Sequence, residues 1–68
     1  MKISYDADTD AAYVRLVEGG KSAKQVVCAD ADLWKPIVID LDLEGHVVGF
    51  EFLEASEMLP ASLLDEFR

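Results

Sequence analysis

Apolar and polar residues alternate with a period of two as far as Phe52 and then fall into a wider spacing, which predicts strands followed by a helical tail. "KISY" and "AAYVRLVE" are rich in β-branched and aromatic residues and flank the acidic run "DADTD", so they read as the arms of a hairpin. A four-residue loop over 7–10 sets Asp6 opposite Ala11, Tyr5 opposite Ala12 and Ile3 opposite Val14. Ile3, Tyr5, Val14 and Leu16 then share one face.

Gly19 and Gly20 supply the positive φ that the next turn needs. A two-residue turn there opposes Arg15 to Lys24, whereas a three-residue turn pairs Val14 with Val26 and Ala12 with Cys28, and the second is expected. "ADADLWKP" breaks the alternation and ends in a proline that cannot donate to a ladder, which predicts a surface loop with Trp34 near its tip. "IVIDLD" and "HVVGFEF" make the clearest hairpin: a Glu44-Gly45 turn pairs Leu41 with Val48, Ile39 with Phe50 and Ile37 with Phe52. The opposite face of these strands carries Val38, Asp40, Asp42, Val47, Gly49 and Glu51.

Beyond Phe52 the residues are helix formers, with Pro60 suited to a first turn and Leu59, Leu63 and Phe67 forming a stripe that Leu64 widens. The expected elements are strands over 2–6, 11–18, 22–29, 37–43 and 46–52, then helical segments over 54–59 and 60–67. They belong to one α+β domain spanning 1–68, a small antiparallel β-meander of about five strands with a short C-terminal helical segment packed on one face.

Composition adds a reason to expect a partner. Apolar residues make up 51% of the chain, enough for a core, but 68 residues bury too small a fraction of their surface for ample stability. A homodimer is the natural expectation. The net charge of −8 opposes binding to nucleic acid or anionic membrane, and the six bases (Lys2, Arg15, Lys21, Lys24, Lys35 and Arg68) are scattered. A basic protein partner is permitted. No apolar run is long enough to span a bilayer and "MKISYD" has no signal core, so a cytoplasmic location is expected. The single cysteine, Cys28, reads as a small buried hydrophobe at a strand end.

Three groupings suggest chemistry. Asp6, Asp8 and Asp10 have the opening spacing of a calcium loop, but Ala11 stands where glycine is required and Val17 where the closing glutamate belongs. The turn reading is preferred, with Asp6 and Asp10 accepting local backbone N–H bonds and Gly19, Gly20 and Gly45 shaping the later turns. Cys28 and His46 fall at opposite ends of the intervening strand and cannot share a proton. Asp40 and Asp42 project from one face about 7 Å apart, with Glu51 on the neighbouring strand. Paired carboxylates can do acid–base work, yet nothing cradles a substrate beside them. No catalytic, cofactor or metal site is expected. The same face also carries Tyr13, Val17, Val27, Val38 and Val47, a valine band with a charged rim that has the composition of an interface. Its candidate contact residues are Tyr13, Trp34, Val38, Asp40, Asp42, Val47 and Glu51; Trp34 either anchors a partner or folds back over an edge of the core.

Tyr5, Asp6, Asp10, Ala11, Tyr13, Val14 and Leu16 follow a Tyr-Asp-x3-Asp-Ala-x-Tyr-Ile/Val-x-Leu pattern. Asp42, Gly45, Val48, Gly49, Phe50, Glu51, Phe52, Ala55 and Ser56 follow a second block. Together, over about residues 1–59, they resemble the domain-of-unknown-function family DUF2283. The chain differs in Phe50 and Phe52, where the family has aliphatics, in "ADADLWKP", and in a longer C-terminal helix. The resemblance implies a small bacterial or archaeal β-rich domain without an assigned activity, and an antitoxin-like partner role; it carries over no catalytic residue. The function expected is a non-enzymatic protein-interaction module, self-associating or partnering a small basic protein. The alternative is a small-molecule or metal-binding domain using Asp40, Asp42 and Glu51.

Overall fold

The hairpin at the N-terminus forms in the expected register. In the computed structural model, which describes residues 1–67, β1 (Lys2–Asp6) pairs antiparallel with β2 (Ala11–Arg15), setting Asp6 against Ala11, Tyr5 against Ala12 and Ile3 against Val14. Arg68, one of the scattered bases, lies outside the described residues. The other elements are β3 (Lys24–Cys28), β4 (Ile37–Leu41), β5 (Val47–Leu53), α1 (Ala55–Met58) and α2 (Ala61–Leu64). One antiparallel sheet and two short C-terminal helices make the α+β domain. No helix among the described residues is long and apolar enough to cross a membrane.

The strand order, β1-β2-β5-β4-β3, corrects the meander. β2 does not turn back onto β3: Val14 pairs with Phe50 and Ala12 with Phe52, not with Val26 and Cys28. β3, β4 and β5 follow one another as hairpins and β2 returns beside β5, which is a Greek key with β1 added at its edge. The reason is burial. β5, "VVGFEFL", is the longest strand and carries two phenylalanines, so a central position buries more apolar surface than an edge would. "KQVVC" has less to lose and takes the edge, where all five residues are exposed, Cys28 included. The expectation of a buried cysteine fails for that reason.

The β4–β5 hairpin keeps Ile37 against Phe52 and Ile39 against Phe50, but Leu41 faces Val47 rather than Val48. Gly45 lies at φ +86° and its N–H bonds to the Asp42 carbonyl at 3.1 Å, while the Asp42 N–H bonds to the His46 carbonyl. The loop is therefore a three-residue turn with glycine in the left-handed position, and the register slip is absorbed by a bulge at Val48.

The buried apolar residues are few: Ala12, Val14, Val48, Ala55 and Leu64. Ala12, Ala55 and Leu64 form a cluster with Tyr5, Phe52 and Leu59 packed against it, so the helices cover the end of the sheet where β1, β2 and β5 meet α1. Phe50 and Phe52 meet edge to face at 5.6 Å. The expected stripe is present, with Leu64 rather than Leu63 as its buried member.

Candidate interaction surface

On the face away from the helices, pairing places Arg15, Gly49, Asp40 and Gln25 in one row across β2, β5, β4 and β3, with Tyr13, Glu51, Val38 and Val27 in the next. The glycine decides what happens between them. With no side chain on Gly49, the Tyr13 ring lies across β5 and its hydroxyl donates to Asp40 Oδ2 at 2.6 Å. A Cβ at Gly49 would collide with the Tyr13 hydroxyl and stand 2.8 Å from the ring Cζ and 2.9 Å from the Val14 carbonyl oxygen. Asp40 Oδ1 accepts from Gln25 Nε2 at 3.0 Å and from Ser22 Oγ at 3.2 Å. Three segments, β2, the β2–β3 connection and β3, are thus tied to the carboxylate of one β4 residue that is only 5% exposed.

These bonds favour the ionised form. The Tyr13 hydroxyl holds the Asp40 pKa below the usual carboxylate value against the opposing effect of burial, with Gln25 and Ser22 adding to it. The same bond, with burial and the Asp40 charge, raises Tyr13 above the usual phenol value. Asp40 is therefore spent on internal structure.

Asp42 is spent likewise: its Oδ1 accepts the N–H groups of Glu44 and His46, each at 2.9 Å. Those backbone bonds, that of His46 first, lower its pKa. His46 is exposed just after the turn. Glu51 and Val38 stay half-buried on the open face and Val47 is exposed. Among the described residues no group of three or more His, Cys, Asp and Glu side chains is placed to hold a metal ion. Beside Tyr13, the cross-strand pair Lys2 and Arg15 helps line a cleft of about 290 Å³.

The first acidic loop divides. Asp6 Oδ1 accepts the Asp8 N–H at 3.0 Å, the expected turn bond. Asp10 turns elsewhere. At φ +53° its carboxylate accepts from the Tyr5 hydroxyl at 2.7 Å, the Ser56 N–H at 3.0 Å and the Ser56 hydroxyl at 2.6 Å. The Ala55 N–H also bonds to the Asp10 carbonyl at 2.8 Å. Asp10 thus docks α1 rather than merely closing its own turn. Gly19 lies at φ +74° in the β2–β3 connection, and the Gly20 N–H bonds to the Val17 carbonyl at 3.2 Å.

Trp34 folds back over the helical side: its indole N–H donates to Glu57 Oε2 at 2.8 Å, and Lys35 pairs with Glu54 at 3.1 Å. Trp34 is nevertheless 69% exposed. Of the seven candidate contact residues, Tyr13, Val38, Asp40 and Glu51 come together on the open face, while Trp34, in the β3–β4 connection, reaches α1 on the other side of the sheet. What the residues alone did not reveal is Ser22, Gln25 and Ser56 as partners of the two aspartates. A glycine inside a strand was the available signal, since it often marks a close approach.

A search of curated proteins and one of solved structures each found no match. The Tyr5–Asp10 and Ala55–Ser56 blocks, distant in sequence and bonded in the fold, both lie within residues 2–56, and those residues match the model of the family described as "Protein of unknown function (DUF2283)". The chain belongs to that family.

Proposed function

We propose that the protein is a non-enzymatic interaction module that acts through self-association. The observation that carries this reading is β3, an edge strand paired with β4 on one side and exposed along its whole length, on a domain with five buried apolar residues among those described. An open apolar edge is a template for another strand. The carboxylates that an acid–base or cation-binding role would require count against the alternative, because Asp40 and Asp42 already accept several internal bonds each. Sedimentation equilibrium over a wide concentration range tests the reading: a reversible dimer is expected, and a monomer at every concentration overturns it. The net charge of −8 favours one variation, a small basic protein held by the acidic surface. Co-expression with adjacent reading frames, followed by gel filtration, would show it as co-elution.

A further inference from the structure

The self-association reading leaves open which surfaces meet, and the two sheet edges differ. β1 alternates exposed Lys2, Ser4 and Asp6 with half-buried Ile3 and Tyr5, so polar groups guard it. β3 has neither proline nor bulge, and beyond Lys24 and Gln25 it presents Val26, Val27 and Cys28, with Val27 63% exposed. Apart from Lys24 at one end, the usual devices that keep an edge from pairing are missing there.

Resting on that reading, we infer that two copies join β3 to β3, antiparallel, about a two-fold axis normal to the sheet at Val27, giving one continuous sheet. Symmetry narrows the registers. About such an axis both copies show the same face on the same side, and opposed residues must share a face. A residue therefore lies opposite its own twin, and Val26, Val27 or Cys28 on the axis overlaps the apolar part of the strand; Cys28 there sets Val26 against Asp30, apolar against charged. With Val26 there, Lys24 faces Cys28 and Gln25 faces Val27, polar against apolar. With Val27 there, Val26 faces Cys28 and Lys24 of each copy faces Asp30 of the other.

The Val27 register continues the rows already in the sheet. Val27 lies beside Val38, so four valines cross the junction on the open face. Val26 lies beside Ile39 and Cys28 beside Ile37, so the other face is apolar across it too. Asp30 is exposed and accepts the Asp32 N–H through Oδ1 at 2.9 Å, leaving Oδ2 for the lysine. The interface is small and each copy carries a charge of −8, so the association is weak and is measured at physiological ionic strength and high protein concentration.

Sedimentation equilibrium of the full chain and its variants is the test, with circular dichroism to show that each folds. Val27→Lys places two like charges on the axis and weakens the dimer by at least about tenfold, while Ser4→Lys at the centre of β1 leaves it unchanged. Lys24→Asp weakens it, and adding Asp30→Lys restores it. A wild-type monomer overturns both this pairing and the self-association reading. A dimer that survives Val27→Lys and falls to Ser4→Lys overturns the pairing alone, and a double charge swap that restores nothing overturns the register.

Discussion

Tyr13 and Tyr5 each donate to an aspartate, at 2.6 Å to Asp40 and 2.7 Å to Asp10, yet the bonds hold different things together. Asp40 gathers side chains from β2, β3 and the connection between them onto β4. Asp10 sits in a left-handed turn and joins the sheet to α1 through Ser56 and its own carbonyl. The first lock fixes strand order, since β3 and the crossing chain are held to β4 by it. The second fixes the helical cap. Damage to the first should be felt by the whole domain and damage to the second mainly by residues after Leu53.

The strongest way to break the first lock is Gly49→Ala. Its Cβ displaces Tyr13 from Asp40, and the Val14 carbonyl at 2.9 Å is backbone that cannot swing aside. Overpacking together with a lost hydrogen bond should cost about 3 kcal/mol, read as a fall in the urea midpoint with the slope unchanged. A background of Tyr13→Phe removes the colliding hydroxyl, so the two changes should cost less together than the sum of each alone. Additive costs would show that Tyr13 does not lie across the glycine.

Asp10→Ala comes next, at about 2 kcal/mol. It leaves the Ser56 N–H and hydroxyl without this acceptor and puts alanine into a left-handed conformation that aspartate tolerates better. Amide exchange should quicken in α1 and α2 while β4 and β5 stay protected. Uniform loss of protection would erase the distinction between the locks.

How far the sequence foretold these locks depends on distance along the chain. The β1–β2 and β4–β5 pairings follow from period-two alternation and short turns, so Tyr5 against Ala12 and Ile39 against Phe50 were readable. Phe50 and Phe52 drew β2 to β5 over a long connection, and that choice reflects burial of the whole sheet, which no local pattern encodes. Placing β2 beside β3 also separated Tyr13 from Gly49 and hid the route to Asp40. The exposure of Val27 and Cys28 follows from the same displacement of β3 to the edge. From the sequence Asp10 reads as a turn residue like Asp6, because both stand at the ends of one loop, and only the arrival of Ser56 separates them.

Tyr13→Phe probes the first lock more gently, at about 1 kcal/mol near neutral pH, and its pH dependence carries more information than its size. Asp40 has a pKa lowered by folding, chiefly by Tyr13, so its contribution is present above the unfolded carboxylate value of about 4 and is lost as pH falls through the lower folded value. Tyr13 has a raised pKa, so its contribution is complete below about 10 and is lost as pH rises through the higher folded value. The stability gap between wild type and Tyr13→Phe should therefore be flat between these limits and shrink on both sides. A gap independent of pH would mean that the hydroxyl and the carboxylate are not coupled.

Asp6→Ala should have the smallest effect, and it separates the two ends of the acidic loop. Asp6 accepts the exposed Asp8 N–H, whereas Asp10 accepts from Tyr5 and Ser56. Losing an exposed local cap costs about 0.5 kcal/mol, because water replaces the carboxylate at the freed N–H. The hairpin register should persist, since Ile3 and Tyr5 remain held by packing against Val14 and Ala12. Thermal unfolding of Asp6→Ala and Asp10→Ala side by side checks this. Equal shifts in melting temperature would return both aspartates to a common role in the turn.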